Sequence, residues 1–202
     1  MATIIKPQFD IKVFLEKRPL SWSAISSFMY DPEQWYKRYI LNEPVEENIE
    51  MKFGKQFAKA IEDGKPMAPV TILKAVEHKF QVVFHDIHMI GFADSFCTDT
   101  NRKLLEYKTA KQVWTQDKVD NHGQLTLYSL FNFITNKVKP EEMEIALECI
   151  QTIVHGDFTI ELKKPIKVHH FKTQRSMMDI LKFGQLILAT VDQMEQYVNN
   201  KK

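Results

Sequence analysis

Gly91-Phe92-Ala93-Asp94 and, after a short turn, Leu104-Leu105-Glu106-Tyr107-Lys108-Thr109 are two apolar stretches, each interrupted by a carboxylate. Phe80, Val82, Val83, Phe84, Ile87, Met89, Ile90 and Phe92 supply the β-branched and aromatic content that predicts a hairpin or paired strands over 79–94. A further strand is expected over 104–109, beyond a turn through Thr98-Asp99-Thr100-Asn101. An ionised group within such a strand is costly unless something pairs it. Side chains alternate along a strand, so Glu106 and Lys108 share one face while Tyr107 points to the other, into the core.

Working outward, Leu125, Leu127, Leu130, Phe131 and Ile134 fall at helical spacing and predict a helix over about 119–136. Gln124 and Tyr128 stand at i and i+4, on one face of it. Residues 144–155 read as a strand. Residues 176–198 read as a long amphipathic helix, suited either to cover the sheet or to meet a partner. Upstream, Ser21-Trp22-Ser23 opens a helical pattern through Ala24, Ile25, Phe28 and Met29, with either serine placed to cap it. Asp31 and Pro32 start a short helix to about Tyr39, and 51–61 reads as a helix ending near Gly64. Pro7 and Pro19 with no sustained period make 1–20 an extended N-terminal arm. The expected fold class is α/β, a central mixed β-sheet flanked by helices.

With 202 residues, 44% of them hydrophobic, the chain is long enough to bury one full core, and a single domain over 1–202 is expected. A net charge of +1 means that any nucleic-acid surface has to be a local patch. Cys97 and Cys149 form no CxxC pair and suggest neither a disulfide framework nor a cysteine-built metal site, which fits a reducing, cytoplasmic setting. No apolar run approaches the length of a membrane span.

A divalent cation of the Mg²⁺ type takes oxygen ligands, and Asp94 and Glu106 are the natural donors. Lys108, on the same face as Glu106, suits holding a water or stabilising negative charge as it develops. Taken alone, Glu106-Tyr107-Lys108 reads more readily as an ordinary same-face ion pair on a solvated strand. Trp35, Tyr36, Lys37, Arg38 and Tyr39 suit either base stacking or plain core packing. Lys103, Lys108, Lys111, Lys118 and His122 surround the carboxylates in sequence, and His78, His85, His88, His169 and His170 show no zinc spacing.

Together, Gly91-Phe92-Ala93-Asp94, Glu106-Tyr107-Lys108-Thr109 and Gln124-Leu125-Thr126-Leu127-Tyr128 resemble, in order and spacing, the motifs of the RecB-like exonuclease branch of the PD-(D/E)XK nuclease superfamily. Leu20 to Phe28 and Asp31 to Tyr36 resemble the opening segments of that branch, so the likeness spans roughly residues 20–130. It implies a restriction-endonuclease-like core and a DNA nuclease, with an exonuclease of phage, recombination or repair type as the expectation. It further implies Mg²⁺ or Mn²⁺ held by Asp94, Glu106 and the Tyr107 backbone carbonyl, Lys108 as the catalytic lysine, and Gln124 and Tyr128 in support. DNA contacts are implied at Ser21, Ser23, Lys111, Gln124 and Tyr128, with single strands or duplex ends as partners. A homo-oligomer or a recombination partner protein is compatible, in the host cytoplasm if the source is viral.

Two departures stand out. Where the branch usually reads Gly-x-x-x-His, this chain has Gly54-Lys55-Gln56-Phe57-Ala58, and alanine cannot ligate. Glu62, one helical turn on along the same face, reads either as the replacement ligand that other branches of the superfamily carry on this helix or as a solvated surface glutamate. Asp31 stands where iron–sulfur members carry cysteine, so no cluster is expected. Ala58 keeps open an alternative, a nucleic-acid-binding or assembly protein with a weakened metal site. An unrelated α+β module, or a metal-independent enzyme in which the triplet is coincidental, is the third reading.

Overall fold

The computed structural model describes residues 8–201. A six-stranded mixed sheet runs in the order β1 (Ala75–Phe84), β2 (Ile87–Phe96), β3 (Lys103–Ala110), β4 (Glu144–Val154), β5 (Ile160–Leu162), with β6 (Val168–Thr173) also paired to β4. The pairing of β3 with β4 is parallel, and β2–β3, β4–β5 and β4–β6 are antiparallel. A parallel pair needs a crossover. Here it is supplied by α5 (Gln116–Asp120) and α6 (Gly123–Asn136). The expected α/β class, a mixed central sheet with flanking helices, is what the chain forms.

By contact density the chain divides into two compact units. The first comprises 1–45, 81–90 and 181–202. It holds α1 (Ile11–Lys17), α2 (Trp22–Tyr30), α3 (Pro32–Trp35) continued by a π turn (Tyr36–Ile40), the β1–β2 turn and most of α7 (Met177–Lys201). His85 and Asp86 both take positive φ, as a tight two-residue hairpin turn requires. Phe28 packs edge-on to Trp35, with ring centroids 5.0 Å apart, and Tyr197 donates to Glu33 at 2.8 Å. Residues 11–17, expected as part of an extended arm, are helical because Asp10 caps them through Lys12 N and Val13 N and Ile11 and Leu15 are buried. Residues 1–7 of that arm lie outside the described residues.

The second unit comprises 46–80 and 91–180. Against one face of its sheet lies α4 (Ile49–Glu62), whose Phe53, Phe57 and Ile61 form a core with Leu105, Tyr107, Ala146 and Ile150. Against the other lies α6, where Tyr128 and Phe131 meet Phe80 and the backbone of Gly91. The helix expected over 119–136 is two helices, separated at Asn121 and His122. The break is held by Arg175, buried to 4% exposure, which donates to the carbonyls of Val119 (3.1 Å) and His122 (3.4 Å) and to Thr126 Oγ1 (2.8 Å). β5 and β6 occupy a stretch where the sequence pattern predicts no strand. Among the described residues no helix is long and apolar enough to cross a membrane.

Candidate active site

The site is built where β2 and β3 part. Their ladder pairs Phe96 with Leu104 and Ser95 with Leu105. One step on, the Tyr107 N–H donates to an Asp94 carboxylate oxygen at 2.6 Å. The carboxylate thus takes the place of a backbone rung, while β3 stays fully paired to β4 through Ala110. The N–H and C=O of one strand residue point to the same edge, so the Tyr107 carbonyl faces the side where Asp94 lies.

Glu106 is only 1% exposed. Its Oε1 accepts from Lys108 Nζ at 2.7 Å, and its buried Oε2 has no hydrogen-bond partner among the described residues. From Lys108 a chain of bonds runs into α6: Nζ donates to Gln124 Oε1 (3.2 Å), Gln124 Nε2 donates to the Tyr128 hydroxyl (2.8 Å), and that hydroxyl donates to the Phe92 carbonyl. The i, i+4 spacing of Gln124 and Tyr128 allows the middle link. Gly91 allows the last one, because a Cβ there would lie 2.7 Å from Tyr128 Cε1 and 3.1 Å from Phe131 Cε2. The glycine and tyrosine motifs are two halves of one contact.

The electrostatics follow from two carboxylates sharing one ammonium. Burial, then the neighbouring Glu106, push the Asp94 carboxyl well above its ordinary range, against the pull of Lys108 and the Tyr107 N–H. Burial works to lower Lys108, but Glu106 and Asp94 outweigh it and hold the amine above its ordinary value. Burial also pushes Tyr107 up to about 12, and Tyr128 further up still.

A cleft of about 570 Å³ opens beside this group, walled by α4 through Asn48, Gly54, Lys55 and Ala58 and by Asp94, Lys108 and Thr109 from the sheet. Ala58 is thus at the cleft, where a longer side chain would reach inward. Glu62 is not part of the wall; its carboxylate lies 3.3 Å from Lys59 on the exposed side of α4. Among the described residues no three His, Cys, Asp or Glu side chains close a metal cage. Asp94 and Glu106, with the partnerless Oε2, form an open two-carboxylate arrangement. That donor set suits Mg²⁺, which keeps several waters and takes one or two carboxylates.

The other residues singled out in the sequence are placed as follows. Ser21 belongs to the first unit, where it caps α2 through Ala24 N and bonds Ser23 at 2.9 Å. Lys111 is exposed, and its carbonyl accepts from Gln151 at 3.0 Å. Trp35 is core, and the His78 ring stacks on Phe96 at 4.5 Å. Sequence reasoning missed Glu77, half-buried on β1, and Glu148, a second buried carboxylate whose two oxygens meet Thr71 N (2.9 Å) and His170 Nδ1 (3.2 Å). Glu148 sits in an apolar β4 run, the same signal that marked Glu106.

No protein-family model matches the chain, and no curated protein matches it. Among solved structures, similarity is found to a "putative exonuclease" from Eubacterium rectale, at 9% identity over 95% of this chain and 70% of that one, with a TM-score of 0.42. It is also found to an alkaline exonuclease from Laribacter hongkongensis, at 13% identity over 94% of this chain and 97% of that one, with a TM-score of 0.39. Likeness this slight leaves any reading of the site to rest on the site's own geometry.

Proposed function

We propose that the chain is a divalent-metal-dependent DNA nuclease of the PD-(D/E)XK type, an exonuclease acting on single strands or duplex ends. The observation that carries this reading is the buried Glu106 paired with a partly exposed Lys108 beside Asp94, with one Glu106 oxygen left without a partner among the described residues. A solvated same-face ion pair would not be buried to this degree, nor leave an acceptor unsatisfied at a cost of about 1–3 kcal/mol.

In this reading Asp94, Glu106 and the Tyr107 carbonyl hold Mg²⁺ or Mn²⁺. The metal supplies polarisation of the phosphoryl oxygen and a water made more acidic. Lys108, held above its ordinary pKa, is an ammonium at neutral pH. Its role is to hold the attacking water or to stabilise negative charge as it builds on the phosphate. Gln124 fixes Nζ at one end, and Tyr128 fixes Gln124 against the Phe92 carbonyl. The cleft beneath α4 is bordered by Asp94 and Lys108, and a phosphodiester would approach those two residues there. Lys111 and Gln124, and separately Ser21 and Ser23 of the first unit, remain the proposed DNA contacts; Tyr128, only 2% exposed, is left to position Gln124, and phage, recombination or repair processing is the proposed setting.

Ala58 favours a second reading, a DNA-binding or assembly protein whose metal site has weakened. Degradation of end-labelled linear and circular DNA, single- and double-stranded, with Mg²⁺, Mn²⁺ or EDTA, separates the two. Metal-dependent loss of linear DNA, reduced about 10²–10⁴-fold in Lys108→Ala, is expected. Intact DNA under every metal condition, with binding retained, would leave the second reading standing.

A further inference from the structure

We propose that Arg18 and Arg38, gathered on the Tyr39 ring in the first unit, form a binding site for the phosphates of a single DNA strand. The site rests on the reading of DNA as substrate, and not on the metal site.

Its base is the π turn (Tyr36–Ile40), where Leu41 N donates to the Tyr36 carbonyl at 3.1 Å in the i→i+5 pattern. Widened turns of this kind are frequent at functional positions. Arg18, at the end of α1, reaches across to it, and one guanidinium nitrogen donates to the Tyr39 carbonyl and to Asn42 Oδ1, both at 2.6 Å. Asn42 takes φ +57, a left-handed conformation that asparagine tolerates. The guanidinium carbon of Arg18 then lies 4.9 Å from the centre of the Tyr39 ring, and that of Arg38 lies 5.2 Å from it. Trp35 stacks on the same ring, with centroids 6.2 Å apart. The aromatic and basic run is thus divided: Trp35 is core, while Arg18, Arg38 and Tyr39 stay partly exposed.

Among the described residues no carboxylate pairs with either guanidinium. Arg18 is held by neutral oxygens and Arg38 by the ring alone. Lys201, in the same unit, shows the contrast. It lies 5.9 Å from the Tyr36 ring and 5.4 Å from the Tyr197 ring, and Glu33 neutralises it. Two like charges gathered without a counter-ion repel one another, and a bound anion relieves that repulsion. The guanidinium fork matches phosphate, and its flat face stacks on bases. A DNA strand with unpaired bases uses both properties, whereas an acidic peptide uses only the charge. With a net charge of +1, affinity for DNA has to come from a local patch of this kind.

The test is binding of fluorescent oligo(dT) to the full chain in EDTA, where metal-dependent cleavage is off, read by anisotropy over a NaCl series. Arg38→Gln removes a charge and no hydrogen bond, and should melt within about 2 °C of wild type. It is expected to weaken binding about 3- to 10-fold and to lower the slope of log affinity against log salt by about 0.7, the loss of one phosphate contact. Arg38→Lys should keep the slope and lose part of the affinity, because the charge remains and the planar fork does not. Arg18→Gln should lower the slope equally but also melt lower, since Arg18 fastens the π turn; Arg18→Lys should keep the slope. Lys201→Gln should bind within about twofold of wild type. The site falls if Arg38→Gln and Lys201→Gln lower the slope alike, or if polyglutamate displaces the strand as well as unlabelled oligo(dT) does. It falls too if wild type binds no strand in EDTA. Metal-dependent cleavage by wild type judges the nuclease reading separately, so a chain that binds through Arg38 and cleaves nothing keeps this site and loses that reading.

Discussion

Two neighbouring strands each bury a glutamate, and the two are treated in opposite ways. Glu148 on β4, 2% exposed, has both oxygens engaged, by the Thr71 N–H and by His170. Glu106 on β3, 1% exposed, has one oxygen bound to Lys108 and one left open. The first lies on the α4 side of the sheet, where the Tyr107 hydroxyl also anchors the Thr71 carbonyl. The second lies on the α6 side, beside Asp94. A buried charge whose bonds are all made fastens a loop to a sheet; the incomplete one is where the proposed metal site rests. Burial is the same in both, so the difference between the two acids lies in the completion of their hydrogen bonds.

The strongest way to break this comparison is to neutralise each acid in turn. Glu106→Gln is expected to lower metal-dependent DNA degradation at least about 100-fold, while shifting the metal-free melting temperature by no more than about 4 °C, or roughly 1 kcal/mol. Glu148→Ala should do the reverse, losing about 2–3 kcal/mol in denaturant melts, the scale of a hydrogen-bonded buried charge, with activity per folded molecule near wild type. Equal effects on activity would erase the distinction. Next, Gly91→Ala drives a methyl into the Tyr128 ring and is expected to cost about 1–3 kcal/mol as overpacking. If Gln124 and Lys108 depend on that ring for their position, activity per folded molecule falls as well.

An effect confined to acid pH sharpens the electrostatic side. Burial, then Lys108 and other cations, depress His122 to about 4, well below its ordinary 6.5. The folded protein therefore keeps this ring neutral while the unfolded chain takes up a proton, so stability falls as pH drops from about 6.5 toward 4. Melting temperatures over that window should decline less steeply in His122→Asn than in wild type.

The part of the site lying on one strand and one helix was legible in the sequence. Alternation puts Glu106 and Lys108 on one face, and i, i+4 spacing puts Gln124 beside Tyr128, as found. What stayed hidden depends on partners distant in sequence. By local pattern Asp94 ends its strand, whereas β2 continues to Phe96 and the carboxylate serves as a rung to Tyr107. Helical periodicity and the resemblance suggest Glu62; in the structure its carboxylate pairs with Lys59 and does not line the cleft. Glu77 falls in a stretch that reads as loop because of Pro66 and Pro69, and no propensity announces a left-handed glutamate inside a strand. The helix break at His122 is imposed by Arg175, some fifty residues away, and so has no local signal. α1 escapes notice because Pro7 and Pro19 bracket a seven-residue helix too short to show a period.

The parallel pairing of β3 with β4 also has a consequence during synthesis. β3 carries Glu106 and Lys108, yet its partner begins only at Glu144, after the whole α5–α6 crossover. Non-local pairing of this kind forms late, because the intervening chain must be ordered first. A growing chain would therefore already display every residue of the proposed metal-binding group before the ribosome has delivered the strand that holds them in register. Competence to bind an ion should appear abruptly as residues 144–151 emerge, not gradually with length.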